Sequence, residues 1–293
     1  MGSTTDRLCI RLTSILDDLA EVIRGVPVQH YDPTMGGFVI TVAPDHRFEE
    51  PTPAVRAKQM EVKRRYNALA DLVRVLFLGA PDALLDQWKS ADEDARRWIE
   101  LERNYKIGTD RNANVIAMRE ECDAVRKAIM VLDAVGEDGV IVVPDTSSIM
   151  EQADPTAYRV IAAADRFTFV LLPTVLGELD AHKSGDSDRR RELAKKVIKR
   201  IGGWRDQARR AGSVLAEGVT VDKTITVRAE HVEPDVESSL TWLDPEVNDD
   251  RIVAAVLSIE AQHPAARVVL VTGDVNLQNK AEAAMIQVAE TPT

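Results

Sequence analysis

The sequence predicts an α/β domain with a central parallel sheet flanked by helices, preceded by a mostly α-helical N-terminal region. Residues 1–137 carry apolar side chains at helical spacing, whereas from Val140 onward short β-branched runs alternate with helical segments. Strands that alternate with helices predict a parallel sheet covered on both faces. The joint Glu137-Asp138-Gly139 lies at this change. We therefore predict a helical domain over residues 1–137 and an α/β domain over residues 138–293.

The N-terminal region is expected to contain four helices. Apolar side chains recur at helical spacing over residues 8–23 until Gly25, a natural stop. Residues 26–53 hold five prolines and a Gly-Gly pair, which predict a long connection with a short hairpin around residues 38–42. Three more helices are predicted over about residues 53–78, from Pro81 past Leu101, and over residues 113–135.

The C-terminal half is expected to alternate strand and helix. Strands are predicted at residues 140–143, 168–172, 267–271 and 286–289, with a hairpin over 219–232. Helices are predicted at residues 155–165, 174–182, 188–211, 250–261 and 276–285. The sequence contains neither of the two common Gly-rich nucleotide-binding loop motifs.

Charge is distributed unevenly along the chain. The net charge of −11 disfavours a general nucleic-acid binder. Residues 182–210, however, carry eleven Lys and Arg against four Asp and Glu, and residues 213–250 carry two against ten. These local balances of +7 and −8 suit an enzyme that holds phosphates and a metal ion in separate places. The alternative interpretation is that both are ordinary solvated faces.

The remaining composition predicts a cytoplasmic protein without a membrane segment. No apolar run reaches the roughly 18 residues of a membrane span, and residues 1–7 do not resemble a secretory signal. Two distant cysteines, Cys9 and Cys122, favour a reducing compartment over a disulfide framework. The five histidines show no pairwise ligand spacing, which argues against a zinc site.

Four acidic residues are the candidate site. Asp145 and Asp274 each follow a run that predicts a buried parallel strand, and ligands bind beyond the carboxyl ends of such strands. Glu178 lies within the predicted helix 174–182, and Asp250 opens the predicted helix 250–261. Carboxylates gathered there would repel one another by roughly 4 kcal/mol per pair at about 4 Å. A hard divalent cation would keep such a cluster ionised.

Four segments in this order resemble the motifs of the PIN-domain nuclease family over about residues 139–289. They are Pro144-Asp145-Thr146-Ser147, the run from Leu172 to Asp180 that contains Glu178, Asn248-Asp249-Asp250-Arg251-Ile252, and the run from Leu270 to Leu277 that contains Asp274. The last segment is most similar to the larger PIN subgroup that includes domains fused to PhoH-type ATPases, and VapC-type toxins share the fold. Ser147 stands where many members carry Asn, and Gly273 where Asn or Asp is common.

The resemblance implies a PIN-like fold, an acidic pocket that binds Mg²⁺ or Mn²⁺, and endonucleolytic cleavage of single-stranded RNA. It implies Asp145, Glu178, Asp250 and Asp274 as catalytic metal-site residues. Asp250 is preferred to the adjacent Asp249 because its spacing matches the family, and Asp249 is alternatively a helix cap or a ligand. We expect Asp145 and Asp274 to bind the ion directly, with Glu178 and Asp250 acting through water or on a second ion.

The basic helix that follows the second motif is the candidate substrate contact. Arg190 and Arg191 are the preferred phosphate-binding residues because of their proximity to Glu178. The hydroxyls of Ser147 and Thr272 are further candidates for orienting ligands or water. Solubility is the competing interpretation of the basic face.

Two other functions compete with an endoribonuclease. A PIN-like fold with a decayed site can serve as an RNA-binding module or scaffold, although all four acids are retained here. A structure-specific DNA nuclease is the third hypothesis, although no additional acidic residues or helical arch are recognised. The N-terminal helices carry no catalytic motif, so gating of substrate, binding of a protein partner and formation of a homo-oligomer all stay open as their role.

Overall fold

The chain forms two compact units in the computed structural model, which describes residues 2–31, 45–102, 106–134, 139–184 and 187–293. One unit comprises Thr5–Ala134, and the other comprises Val135–Thr293 together with Met1–Thr4. The hairpin predicted around residues 38–42 and residues 137–138 of the predicted joint lie outside the described residues.

In its described residues, the N-terminal unit contains four helices and a two-stranded antiparallel ribbon. The apolar side chains that predicted the first helix, such as Leu12, Ile15 and Leu19, are completely buried. The caps explain two of the helix starts, because Thr52 and Asp110 accept hydrogen bonds from backbone N–H groups of α2 and α4. The elements are α1 (Thr4–Gly25), β1 (Val28–Tyr31), β2 (Asp45–Phe48), α2 (Pro53–Leu76), α3 (Asp82–Ile99) and α4 (Arg111–Val131).

The second unit is a sheet of mostly parallel strands flanked by helices, which confirms the predicted fold class. Its strand order is β5-β6-β4-β3-β7-β8, and β5 alone among these six pairs antiparallel to its neighbour. The elements are β3 (Val140–Pro144), α5 (Thr146–Glu151), α6 (Arg159–Ala162), β4 (Phe167–Leu171), α7 (Pro173–Lys183), α8 (Asp188–Arg210), β5 (Val219–Asp222), β6 (Ile225–Ala229), α9 (Asn248–Gln262), β7 (Arg267–Val271), α10 (Val275–Ala283) and β8 (Gln287–Ala289).

The three central strands β4, β3 and β7 bring three chain segments to one edge of the sheet. Their apolar side chains are almost entirely buried, as expected for strands covered on both faces. Because these strands are parallel and adjacent, their carboxyl ends lie side by side. Helices α5, α7 and α10 each begin within four residues of such an end. This edge therefore collects the segments that carry the predicted acidic residues.

One helix of this unit was missed and another was predicted only in part. Helix α5 was not predicted, because six residues are too few to show a period. The helix predicted over residues 155–165 is instead a 3₁₀ turn at Pro155–Tyr158 followed by the single turn α6, which ends where Ala163 takes a left-handed φ of 46°. The buried Tyr158 hydroxyl donates to the Ser148 and Gln152 carbonyls at 3.1 and 2.9 Å, and so holds this turn against α5.

Candidate active site

A cavity of about 500 Å³ opens at the carboxyl edge of the sheet. Five carboxylates line it, and they come from four different helices or their caps: Asp145, Glu151, Glu178, Asp249 and Asp274. Three of these were predicted as site residues, Asp249 is the alternative to Asp250, and Glu151 was not predicted. The structure thus brings acidic side chains that are far apart in the sequence to one concave surface.

Asp145 is held by donors on several sides. It caps α5, since its Oδ1 accepts a hydrogen bond from Ser148 N–H at 2.7 Å. The Ser147 hydroxyl donates to both carboxylate oxygens at 2.9 and 3.0 Å, and the buried Thr272 hydroxyl donates to Oδ2 at 2.6 Å. The side chain is only 4% exposed. These contacts fix the orientation of the carboxylate at the base of the cavity.

Glu178 links three helices around the same cavity. Its Oε2 accepts a hydrogen bond from the Thr146 hydroxyl at the start of α5, and its Oε1 accepts one from Asn248 Nδ2 at 2.7 Å at the start of α9. Glu178 lies in the second turn of α7, which Pro173 opens at a position where no backbone N–H is required. Contacts of this kind orient a carboxylate that would bind an ion or a water molecule.

Asp274 and Asp249 share Asn276 as a neighbour. Asp274 caps α10 by accepting from Asn276 N–H at 2.7 Å and from Leu277 N–H at 3.3 Å. The Asn276 side-chain amide donates to Asp249 Oδ2 at 2.7 Å. Asn276 therefore joins the third and fourth predicted motifs, and it was missed because a single Asn after an Asp gives no distinctive sequence signal.

Asp250 lies behind the cavity and does not line it. Its side chain is 7% exposed, accepts from Asp244 N–H at 2.9 Å and pairs with Lys280 Nζ at 2.6 Å. Burial lowers the pKa of Lys280, but the hydrogen bond and charge of Asp250, together with Asp249, outweigh it and raise that pKa above its ordinary value. Lys280 therefore stays charged at neutral pH and compensates the buried carboxylate.

The phase of α9 explains why Asp249 and Asp250 differ. Successive helical residues point about 100° apart, so Asp249 and Asp250 point in different directions. Asp249 and Ile252, three residues apart, line the cavity, whereas Asp250 and Val253 face the core. The preference for Asp250 as a metal-site residue stays a prediction, but the geometry favours Asp249. Motif spacing alone does not give the rotation of a helix.

A basic wall faces the same cavity. It comprises Arg189 and Arg190 in the first turn of α8, and His182 at the end of α7 also lines the cavity. Arg191 was predicted with Arg190, but it forms an ion pair with Asp188 and does not line the cavity. Neither His182 nor Arg189 was predicted, although the spacing of His182 four residues after Glu178 would have placed both on one face of a helix.

The two predicted hydroxyl groups have different surroundings. Ser147 lines the cavity and donates to Asp145. Thr272 is completely buried; its oxygen also accepts from Asp274 N–H at 3.0 Å. It therefore positions two site residues and is shielded from solvent. Glu151 of α5 also lines the cavity and was missed together with its helix.

The side chains of the cavity can be judged as ligands for a metal ion. Among the described residues, no three His, Cys, Asp or Glu side chains form a ready group that could hold a metal ion. Magnesium, however, keeps several waters and needs only one or two carboxylates directly. The carboxylate oxygens that line the cavity therefore fit a hydrated hard cation.

The chain belongs to the PIN-domain family. Its residues 142–291, about half of the sequence, match the family model for the PIN domain, which confirms the resemblance seen in the four motifs. PIN domains are generally nucleases, usually metal-dependent, and they bind nucleic acid substrates, so this membership indicates a nuclease. No curated protein matches the chain.

Proposed function

We propose that the protein is a metal-dependent endoribonuclease that hydrolyses phosphodiester bonds of single-stranded RNA. The observation that carries the proposal is one cavity that is lined by both carboxylates and cationic side chains. Hydrolysis of a phosphodiester needs an activated water and stabilisation of extra charge on the phosphate. The two walls supply groups for both requirements.

The acidic wall is the proposed metal site. Asp145 and Asp274 would hold Mg²⁺ or Mn²⁺ directly, because they lie at the ends of the adjacent strands β3 and β7. Glu178 and Asp249 would hold water molecules around the ion. A bound divalent ion supplies a more acidic water molecule and a positive charge next to the phosphate. Asn248 and Asn276 keep the outer carboxylates oriented.

We expect Mn²⁺ binding to depend on this wall. In calorimetry, Asp145→Asn and Asp274→Asn should each weaken Mn²⁺ binding strongly, because each removes one anionic ligand. Both side chains cap helices, and Asn caps as well as Asp, so the fold should be retained. Equal Mn²⁺ binding by the wild type and the double variant would contradict this assignment.

The basic wall is the proposed binding site for substrate phosphates. Arg189 and Arg190 are at the start of α8, beside the acidic wall, where they can hold phosphates on either side of the scissile bond. Ser147 also lines the cavity and could donate to the same group if its hydroxyl turned away from Asp145. This assignment keeps Arg190 from the sequence prediction and replaces Arg191 with Arg189.

The salt dependence of RNA binding tests this wall. Each phosphate contact with a single strand contributes about 0.7 to the slope of log affinity against log salt, so Arg189→Gln with Arg190→Gln should flatten the slope by about 1.4. Lys196→Gln with Lys199→Gln is the matched control, since it removes the same charge from exposed positions of the same helix that do not line the cavity. Equal flattening by both pairs would contradict a local contact.

One assay decides the reaction and the substrate. The purified protein is incubated with labelled single-stranded RNA and single-stranded DNA in Mn²⁺, Mg²⁺ or EDTA. We expect internal cleavage of RNA that EDTA abolishes. Preferred cleavage of DNA would indicate a DNA nuclease, and RNA binding without cleavage in any metal would indicate an inactive RNA-binding module.

We further propose a cytoplasmic location and two functional domains, residues 1–137 and 138–293. Cys9 and Cys122 are unpaired, as expected in a reducing compartment. Among the described helices, none combines the length and apolar character needed to cross a membrane. The helical N-terminal domain would gate the substrate, bind a protein partner or form a homo-oligomer.

A further inference from the structure

His182 is a titratable side chain of the cavity that neither wall of the proposed mechanism has yet used. It lies in the last turn of α7, four residues after Glu178, and both side chains line the cavity. Residues at this spacing on a helix have Cβ atoms about 5–6 Å apart. Asp180, between them in the sequence, lines a different cavity, so α7 directs only one face towards the acidic wall. His182 is therefore one helical turn from a proposed metal-site residue.

The reaction needs a proton donor that the two walls do not provide. When water attacks the phosphorus atom and the bond to the leaving oxygen breaks, that oxygen departs as a strongly basic alkoxide unless it is protonated. Arginines such as Arg189 and Arg190 hold their protons too tightly to donate them. Carboxylates that hold an ion and its waters must stay ionised. Histidine is the side chain that exchanges protons in the neutral range.

We propose that His182 is the general acid that protonates the leaving oxygen during phosphodiester cleavage. This inference rests on the proposed nuclease function, and it assigns His182 to one step of that reaction. The water oxygen forms the new bond to phosphorus, and the old phosphorus–oxygen bond breaks with its electron pair. The imidazolium of His182 donates its proton to the departing oxygen. The attacking water loses one proton to solvent, and the imidazole regains one from solvent, so charge and atoms balance.

The surroundings of His182 support this role. His182, Arg189 and Arg190 line the same cavity as the carboxylates, so a phosphate bound in this cavity lies near all three side chains. The leaving oxygen of an in-line displacement points away from the attacking water. The proposed role requires this oxygen to face His182 when the attacking water is beside the ion.

A sulfur substitution separates proton donation from phosphate binding. The wild-type cleavage site and the leaving oxygen are first mapped on a short RNA with Mn²⁺. The same RNA is then made with sulfur in place of that bridging oxygen. A thiol has a pKa of about 8.5, far below that of an alcohol, so a thiolate departs without protonation. We expect His182→Gln to cleave the oxygen substrate on the order of 10²-fold more slowly than wild type. Its effect on the sulfur substrate should be much smaller.

Controls make each outcome decisive. His231→Gln removes a histidine that lines the other cavity, and it should cleave both substrates at the wild-type rate. An equal loss on both substrates for His182→Gln, with weaker RNA binding in EDTA, would overturn the proposal and leave His182 as a phosphate contact. Unchanged cleavage of both would make it a bystander. A wild-type protein that cleaves neither RNA would instead overturn the nuclease function itself.

Discussion

Asp145→Asn is expected to lower the rate of RNA cleavage by on the order of 10³-fold, the scale seen when a group that stabilises transition-state charge is removed. Asp145 is the most constrained carboxylate of the cavity, with donors from Ser147, Ser148 and Thr272. The substitution keeps an oxygen that can cap α5 but removes the negative charge that a divalent ion needs. The measurement is initial cleavage of labelled single-stranded RNA in saturating Mn²⁺.

A matched control is available in the same unit. Asp154 also caps a turn through its side chain, accepting from Thr156 N–H at 3.0 Å, but it does not line the cavity. Asp154→Asn should therefore cleave RNA like the wild type. Thermal unfolding of both variants should remain close to that of the wild type. Substantial cleavage by Asp145→Asn in a folded protein would place the metal ion, or the reaction, elsewhere.

The sequence was sufficient to predict the architecture and the ends of the strands. The buried runs of β3 and β7 are unambiguous because they are continuous and mostly β-branched, and an Asp follows each of them within three residues. Asp145 and Asp274 occupy N-cap positions that this pattern favours. The local sequence predicts an N-cap at each of these residues, and the fold puts each N-cap at the sheet edge. The sequence alone therefore predicts the position of both residues.

The features that the sequence did not predict depend on the rotation of a helix or on which neighbouring side chain pairs with a charged group. The rotation of α9 decides between Asp249 and Asp250, and it is set by packing of Ile252 and Val253 against different surroundings. Arg191 was preferred for its proximity, but Asp188, three residues earlier, takes its guanidinium. Thr272 follows a strand that is buried to its last residue, so its hydroxyl is shielded from solvent.

The second largest effect on RNA cleavage is expected at one of the two adjacent aspartates, Asp249 and Asp250. Asp249→Asn should reduce Mn²⁺ binding and lower RNA cleavage by on the order of 10²-fold, because an outer carboxylate of the site loses its charge. Its effect on stability should be small, since Asp249 contacts Lys280 only at 3.5 Å and an amide can still accept from Asn276.

Asp250→Asn should instead lower the stability of the protein and leave Mn²⁺ binding almost unchanged. Asp250 and Lys280 form a close pair in which the carboxylate is buried, and removal of one partner leaves the other charge poorly compensated. Lys280 is partly exposed and retains Asp249 nearby, so the loss should be about 1–3 kcal/mol, less than for a fully buried pair. In a domain of this size that lowers the midpoint of thermal unfolding by roughly 3–10 °C. Mn²⁺ affinity of the folded variant should change little.

Lys280→Met distinguishes the two roles further. It removes the cation that compensates Asp250 and leaves both carboxylates in place, so it should destabilise the unit as Asp250→Asn does. Combining Lys280→Met with Asp250→Asn should cost less than the sum of the single changes, because both delete the same interaction. If Asp250→Asn instead abolishes Mn²⁺ binding and leaves the unfolding midpoint unchanged, then Asp250 is the metal-site residue that the motif spacing predicted. The rotation of α9 in the metal-bound protein would then differ from the rotation described above.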